Sequence, residues 1–174
     1  MAVSHLSDGW RGFRGSRVGI FRRLALVWLS METSDRLASI TFDSLDAMME
    51  AYAAEAVQVA RKAHGIKLDY SEASVHQLES LLANLDAVTD DRLEFTTKLW
   101  GSYFGEVLRR QYGATWAMTV YPGSVLAVPT LEVRGSRLYP LTKVQRRLTM
   151  GAGESLTSFY SMATKRLGDP VKLN

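Results

Sequence analysis

From Leu45 onward, apolar side chains recur at three- and four-residue steps. Leu45, Met48, Met49, Tyr52, Ala53, Ala56, Val59, Ala60 and Ala63 fall on one stripe of a helix. The stripe predicts a first helix over residues 44–63. Asp43 or Ser44 can accept from the free amides of its first turn, and Gly65 supplies the left-handed residue that ends it. Residues 66–70 read as extended. Ser71 then suits an N-cap, with Tyr70 and Val75 as a hydrophobic staple, and Val75, Leu78, Leu81, Leu82 and Leu85 continue as a second helix. Asp90 or Asp91 opens a third helix, whose apolar face runs through Leu99, Trp100, Tyr103, Phe104, Val107 and Leu108 to a stop at Gly113. Gly101 and Gly105, four apart on it, leave a strip without side chains where a neighbouring helix or the sheet can approach closely.

Past Gly113 the period shortens to that of strands. Residues 115–121, the turn Pro122-Gly123, residues 125–133, the turn Gly135-Ser136 and residues 137–139 predict a three-stranded antiparallel meander. Pro129 lacks the N–H that a ladder needs, so a bulge or an unpaired edge is expected there. A short helix over 141–150 follows. A last helix runs through Leu156, Phe159, Tyr160, Ala163 and Leu167 and is stopped by Gly168 and Pro170. The fold class is therefore α+β: three N-terminal helices, a small antiparallel three-stranded meander, and two C-terminal helices. The domain occupies residues 41–168, with a C-terminal tail over 169–174.

Composition adds bounds. The 174 residues are 47% hydrophobic and 22% charged, as in ordinary globular chains, and contain no cysteine. That removes disulfides, thiolate metal sites and a cysteine nucleophile. The net charge of +3 is unevenly spread. Residues 1–30 hold five Arg against one Asp, residues 31–106 six bases against fourteen acids, and residues 107–174 ten bases against three acids. The domain is bipolar rather than basic, which fits either two halves that attract each other or a polarised surface that steers a partner.

Residues 1–40 read as a poorly ordered Arg/Gly-rich segment. Arg22-Arg23 interrupts its one apolar run, which is short of the about twenty residues a membrane span needs. No small-residue cleavage site follows as in a secretory signal. The change of composition at Met31 leads to the expectation that translation starts there; a disordered tail and a membrane-surface segment are the alternatives.

Chemical motifs are sparse. His5, His64 and His76 make no metal-ligand spacing, and phosphate loops, dinucleotide fingerprints and nucleophile elbows are missing. Neither a metal nor a cofactor is expected. The stretch GSYFGEVLRRQYGATW places Glu106 on an apolar helix face, with Arg109 and Arg110 three and four positions on and Trp116 beyond. A buried carboxylate among aromatics suits a general acid or an anchor for a partner's cation. The plainer reading pairs it with Arg109 or Arg110, or with backbone donors near Trp116. A second group, Lys143, Arg146 and Arg147 on one helix face, with Arg134 and Arg137 before it and Tyr139 nearby, suits phosphate contacts or a solvated face.

The blocks AEAVQVARKAHGIKLDYSEASVHQLE, LWGSYFGEVLRR with the following ATW, and YPLTKVQRRLTMGAGESLTSFY span residues 52–167. Their order, with the GEVLRR and YPxxKVxxRL stretches, resembles a family of small bacterial domains of unknown function. The resemblance implies a bacterial cytoplasmic protein and assigns no catalytic residue.

Three functions follow as expectations. The first is a non-enzymatic protein-interaction domain, such as an immunity or accessory protein. Its contact residues would be Glu106, Arg109, Arg110, Trp116, Tyr139, Lys143, Arg146 and Arg147, and its partner another protein. The second is a nucleic-acid-associated protein using the basic C-terminal half, and the third an enzyme centred on Glu106.

Overall fold

The computed structural model describes residues 36–85 and 87–171; expectations for residues 1–35 and 172–174 lie outside them. Residues 36–38 are helical. The chain divides into two units at Ala38/Ser39, and the second carries the elements that follow.

Helix α1 (Leu45–His64) starts where Ser44 accepts from the Ala47 N–H at 3.1 Å and stops at Gly65, whose φ is +69°. Helix α2 (Glu72–Ala83) is capped by Ser71. Between them, Tyr70 departs from the extended reading: its φ is +63°, a region a bulky side chain seldom enters. Three contacts hold it there. Its N–H donates to the Tyr103 hydroxyl at 3.0 Å, its carbonyl accepts from Gln111, and its ring lies 3.6 Å beneath the Arg110 guanidinium.

Helix α3 (Asp90–Tyr112) is the central element, packed against α1 and against a later helix, α4 (Pro140–Met150). Twelve of its residues are buried, Tyr103, Phe104, Val107 and Leu108 completely. The glycine strip works as its spacing implies. A methyl group on Gly101 would stand 2.8 Å from Leu141 Cα, and one on Gly105 would collide with the Trp116 ring.

The sheet has the order β1-β2-β3, all antiparallel: β1 (Thr115–Val120), β2 (Ala127–Val133) and β3 (Ser136–Leu138). The turn before β3 is Arg134-Gly135 rather than Gly135-Ser136. Both residues have positive φ, as a two-residue hairpin of the I′ type requires, and Ser136 already pairs with Val133. Pairing of β1 with β2 runs through Pro129 without a bulge. The Tyr121 N–H donates to the Leu126 carbonyl, which sets the phase of the ladder: Met118 and Pro129 face each other in a pair that does not hydrogen-bond. The absent N–H of Pro129 therefore points to the β3 side. There β3 stops opposite Leu131, so this part of β2 is the unpaired edge that was one of the two expectations.

Helix α4 (Pro140–Met150) begins one residue before the expected start, with proline in its first turn. A 3₁₀ turn (Gly151–Glu154), not foreseen from the pattern, leads to helix α5 (Leu156–Leu167). The domain is thus α+β around a three-stranded antiparallel sheet, with its helical part differing in detail from the expectation. No described helix is long and apolar enough to cross a membrane.

Candidate functional site

Glu106 is fully buried in α3, and each of its oxygens is occupied. Oε1 accepts from Arg109 Nε at 2.7 Å and from the Trp116 indole at 2.9 Å; Oε2 accepts from Arg109 Nη2 at 3.0 Å and from Arg110 Nε at 3.4 Å. The two arginines come from the next turn of the same helix and Trp116 is the second residue of β1, so the carboxylate ties helix to sheet. Arg109 continues the network to Glu50 on α1, and its pKa is held above the ordinary value, first by the hydrogen bond to Glu106. A carboxylate closed off in this way has neither a free lone pair for a substrate proton nor an open face for a foreign cation. Glu106, Arg109, Arg110 and Trp116 do converge, but into an internal clamp.

The basic group of the C-terminal half is engaged in ion pairs and hydrogen bonds within the fold. Lys143 and Arg146 both bind Glu154, at 2.6 and 2.5 Å, and the Glu154 carboxyl is held below its usual range, chiefly by the Lys143 hydrogen bond. Arg147 is buried and bound at 2.7 Å to Glu79 of α2, whose other oxygen accepts the Leu156 N–H at the start of α5. Arg137 pairs with Glu132, and Arg134 donates to the carbonyls of Leu167 and Asp169. Tyr139 is half-buried, with its ring 4.9 Å from that of Tyr121. Each of these cations thus has an acceptor within its own fold, a carboxylate for all but Arg134.

Two other features are open. A shallow cleft of about 490 Å³ between α2 and α5 is lined by Glu72, His76, Thr157, Ser158, Tyr160 and Ser161. The Tyr160 hydroxyl donates to Gln111, and burial pushes its pKa up to about 12, so it stays protonated there. Among the described residues, no group of three His, Asp or Glu is arranged to hold a metal.

The more distinctive feature is the outer half of the β1–β2 hairpin. Met118, Val120, Val125 and Leu126 are 55%, 56%, 92% and 67% exposed, adjoining one another in a short stretch of chain. Met118 and Val120 lie on the same sheet face as the buried Trp116, two and four residues on, but past the end of the helical layer that covers it. None of these residues was among the sequence candidates. A signal was present: residues 111–131 contain no Asp, Glu, Lys, Arg or His, in a chain of which 22% is charged.

Comparison with family models, with curated proteins and with solved structures finds no match to the chain.

Proposed function

We propose that the chain is a non-enzymatic protein-binding domain whose contact surface is the outer, charge-free part of the β1–β2 hairpin. The observation that supports this most is the exposure of Met118 and Val120 together on one face of β1, with Val125 and Leu126 exposed in the adjoining turn. Isolated exposed apolar residues are ordinary, whereas a contiguous group marks a surface that another molecule covers. The internal use of Glu106 and of Lys143, Arg146 and Arg147 weighs in the same direction, because the groups that an acid catalyst or a phosphate contact needs are already engaged.

The test is affinity capture from the host with the parent chain and with a Val120→Lys, Leu126→Asp variant. A discrete protein retained by the parent and lost from the variant is the expected result. Equal retention by both, or retention of nuclease-sensitive nucleic acid that falls steeply with salt, would overturn the reading.

A further inference from the structure

We infer that the hairpin's partner is a second copy of this chain, joined antiparallel along β1 with Met118 opposite Met118 of the other copy. This rests on the hairpin being the contact surface. In the β1–β2 ladder the hydrogen-bonded pairs are Thr119 with Val128, Ala117 with Thr130 and Thr115 with Glu132, as the Tyr121–Leu126 bond dictates. Trp116, Met118 and Val120 therefore turn their N–H and C=O groups away from β2. β1 is the outer strand of the sheet, and among the described residues no backbone hydrogen bond outside the sheet reaches these three. The exposure of Met118 and Val120 leaves the strand's outer half open to another strand.

Three observations select a second copy as that strand. The first is phase. Centring a two-fold axis on Met118 sets Trp116 against Val120 of the other copy, so all three outward-facing residues meet their counterparts in hydrogen-bonding phase over nearly the whole strand. The second is side-chain chemistry: directly opposed residues share a face, so the exposed Met118 meets Met118 of the other copy, and the exposed Val120 comes to lie beside the buried Trp116. The third is charge. Residues 111–131 carry none, so two copies meet without like-charge repulsion, while a strongly charged partner finds nothing to pair with. β1 also lacks the inward charge or proline with which exposed edges usually block such pairing.

Sedimentation equilibrium of the 174-residue chain tests this. The mass is expected to rise with concentration towards twice 19.4 kDa. Met118→Pro, which removes an outward N–H that β2 does not use, and Met118→Lys, which sets two like charges face to face, are each expected to hold the chain at the monomer mass. Circular dichroism and melting temperature check that both variants remain folded. The absence of cysteine allows the register to be read directly. Met118→Cys is expected to give a disulfide-linked dimer on mild oxidation, since Cα atoms of such a pair lie about 5.5 Å apart. Met162→Cys, at a 65% exposed position elsewhere, is expected not to.

A monomer at every concentration overturns the inference, as does a dimer that survives in both folded Met118 variants or a Met162→Cys link as rapid as that at Met118. A monomer that nevertheless loses a specific protein ligand in the Val120→Lys, Leu126→Asp variant overturns only the identity of the partner. A monomer with no such ligand removes the hairpin surface as well.

Discussion

Replacing Glu106 by alanine removes one acceptor from four donors at once. Taking away one member of a buried ion pair costs about 3–5 kcal/mol when the other is left uncompensated. Here Arg109 is 24% exposed and keeps Glu50, which lowers the loss to about 2–3 kcal/mol. The Trp116 indole, 4% exposed, is left with its N–H in an apolar site, adding about 1 kcal/mol. The expected total is about 3–4 kcal/mol, or a fall in melting temperature of about 10–15 °C for a domain of this size. Glu106→Gln keeps an acceptor for the indole but not the charge, so about half of that loss is expected. Urea unfolding followed by tryptophan fluorescence and by circular dichroism measures both variants, and a cycle with Trp116→Phe isolates the indole bond at about 1 kcal/mol. A Glu106→Ala protein within about 1 kcal/mol of its parent, at unchanged m-value, would refute the clamp and return the carboxylate to the list of groups free for chemistry.

Gly105→Ala forces a methyl group into the Trp116 ring and Gly101→Ala forces one against Leu141 Cα, so each is expected to lower the unfolding free energy measured in urea by about 1–3 kcal/mol; a neutral change at Gly105 would contradict the close approach. Glu79→Ala strands the buried Arg147 guanidinium and the Leu156 N–H, and a loss of about 2–4 kcal/mol in chemical denaturation is expected, against less than about 1 if the tie between α2, α4 and α5 is incidental. Tyr160 titrates near 12 when folded and near 10 when unfolded, and burial also raises Tyr70, Tyr103 and Tyr112. Above pH 10 the unfolded chain then holds fewer protons than the folded one, so stability is complete below pH 10 and declines as pH rises through about 12. Denaturation midpoints across that window should fall, less steeply in Tyr160→Phe; a flat profile would count against the buried tyrosines.

Local signals carried the helices well. The stripe from Leu45, the caps at Ser44 and Ser71, and the stops at Gly65 and Gly113 depend on residues within one or two turns of one another, and these appear in the folded chain as read. Tyr70 was misread because its left-handed backbone is fixed from far away, by Tyr103, Arg110 and Gln111, none of which a local pattern contains. The turn before β3 was displaced by one residue for a related reason. Arg134 tolerates positive φ there while its guanidinium is anchored on the Leu167 and Asp169 carbonyls, more than thirty residues on.

The use of the candidate charges is likewise decided by contacts distant in sequence. Runs of like charge in sequence suggest patches, but Glu79 meets Arg147 across 68 positions and Glu50 meets Arg109 across 59, so part of the acidic half pairs with part of the basic half, in line with the first of the two expectations for the bipolar charge. The Glu106–Arg109–Arg110 contacts, at three and four residues' distance, were individually readable, and they gave the plainer of the two expectations for Glu106. The exposed hairpin is marked in sequence by missing charge, a signal that a search for catalytic and basic residues passes over.

Salt dependence separates the two kinds of surface most directly. Association of the intact chain, measured by sedimentation from low to high ionic strength, is expected to hold nearly constant and to survive Lys143→Ala with Arg146→Ala, because the outer part of the hairpin has no charge to screen. Association that collapses with added salt or with those two substitutions would contradict the account and return the basic half to the centre of the protein's function.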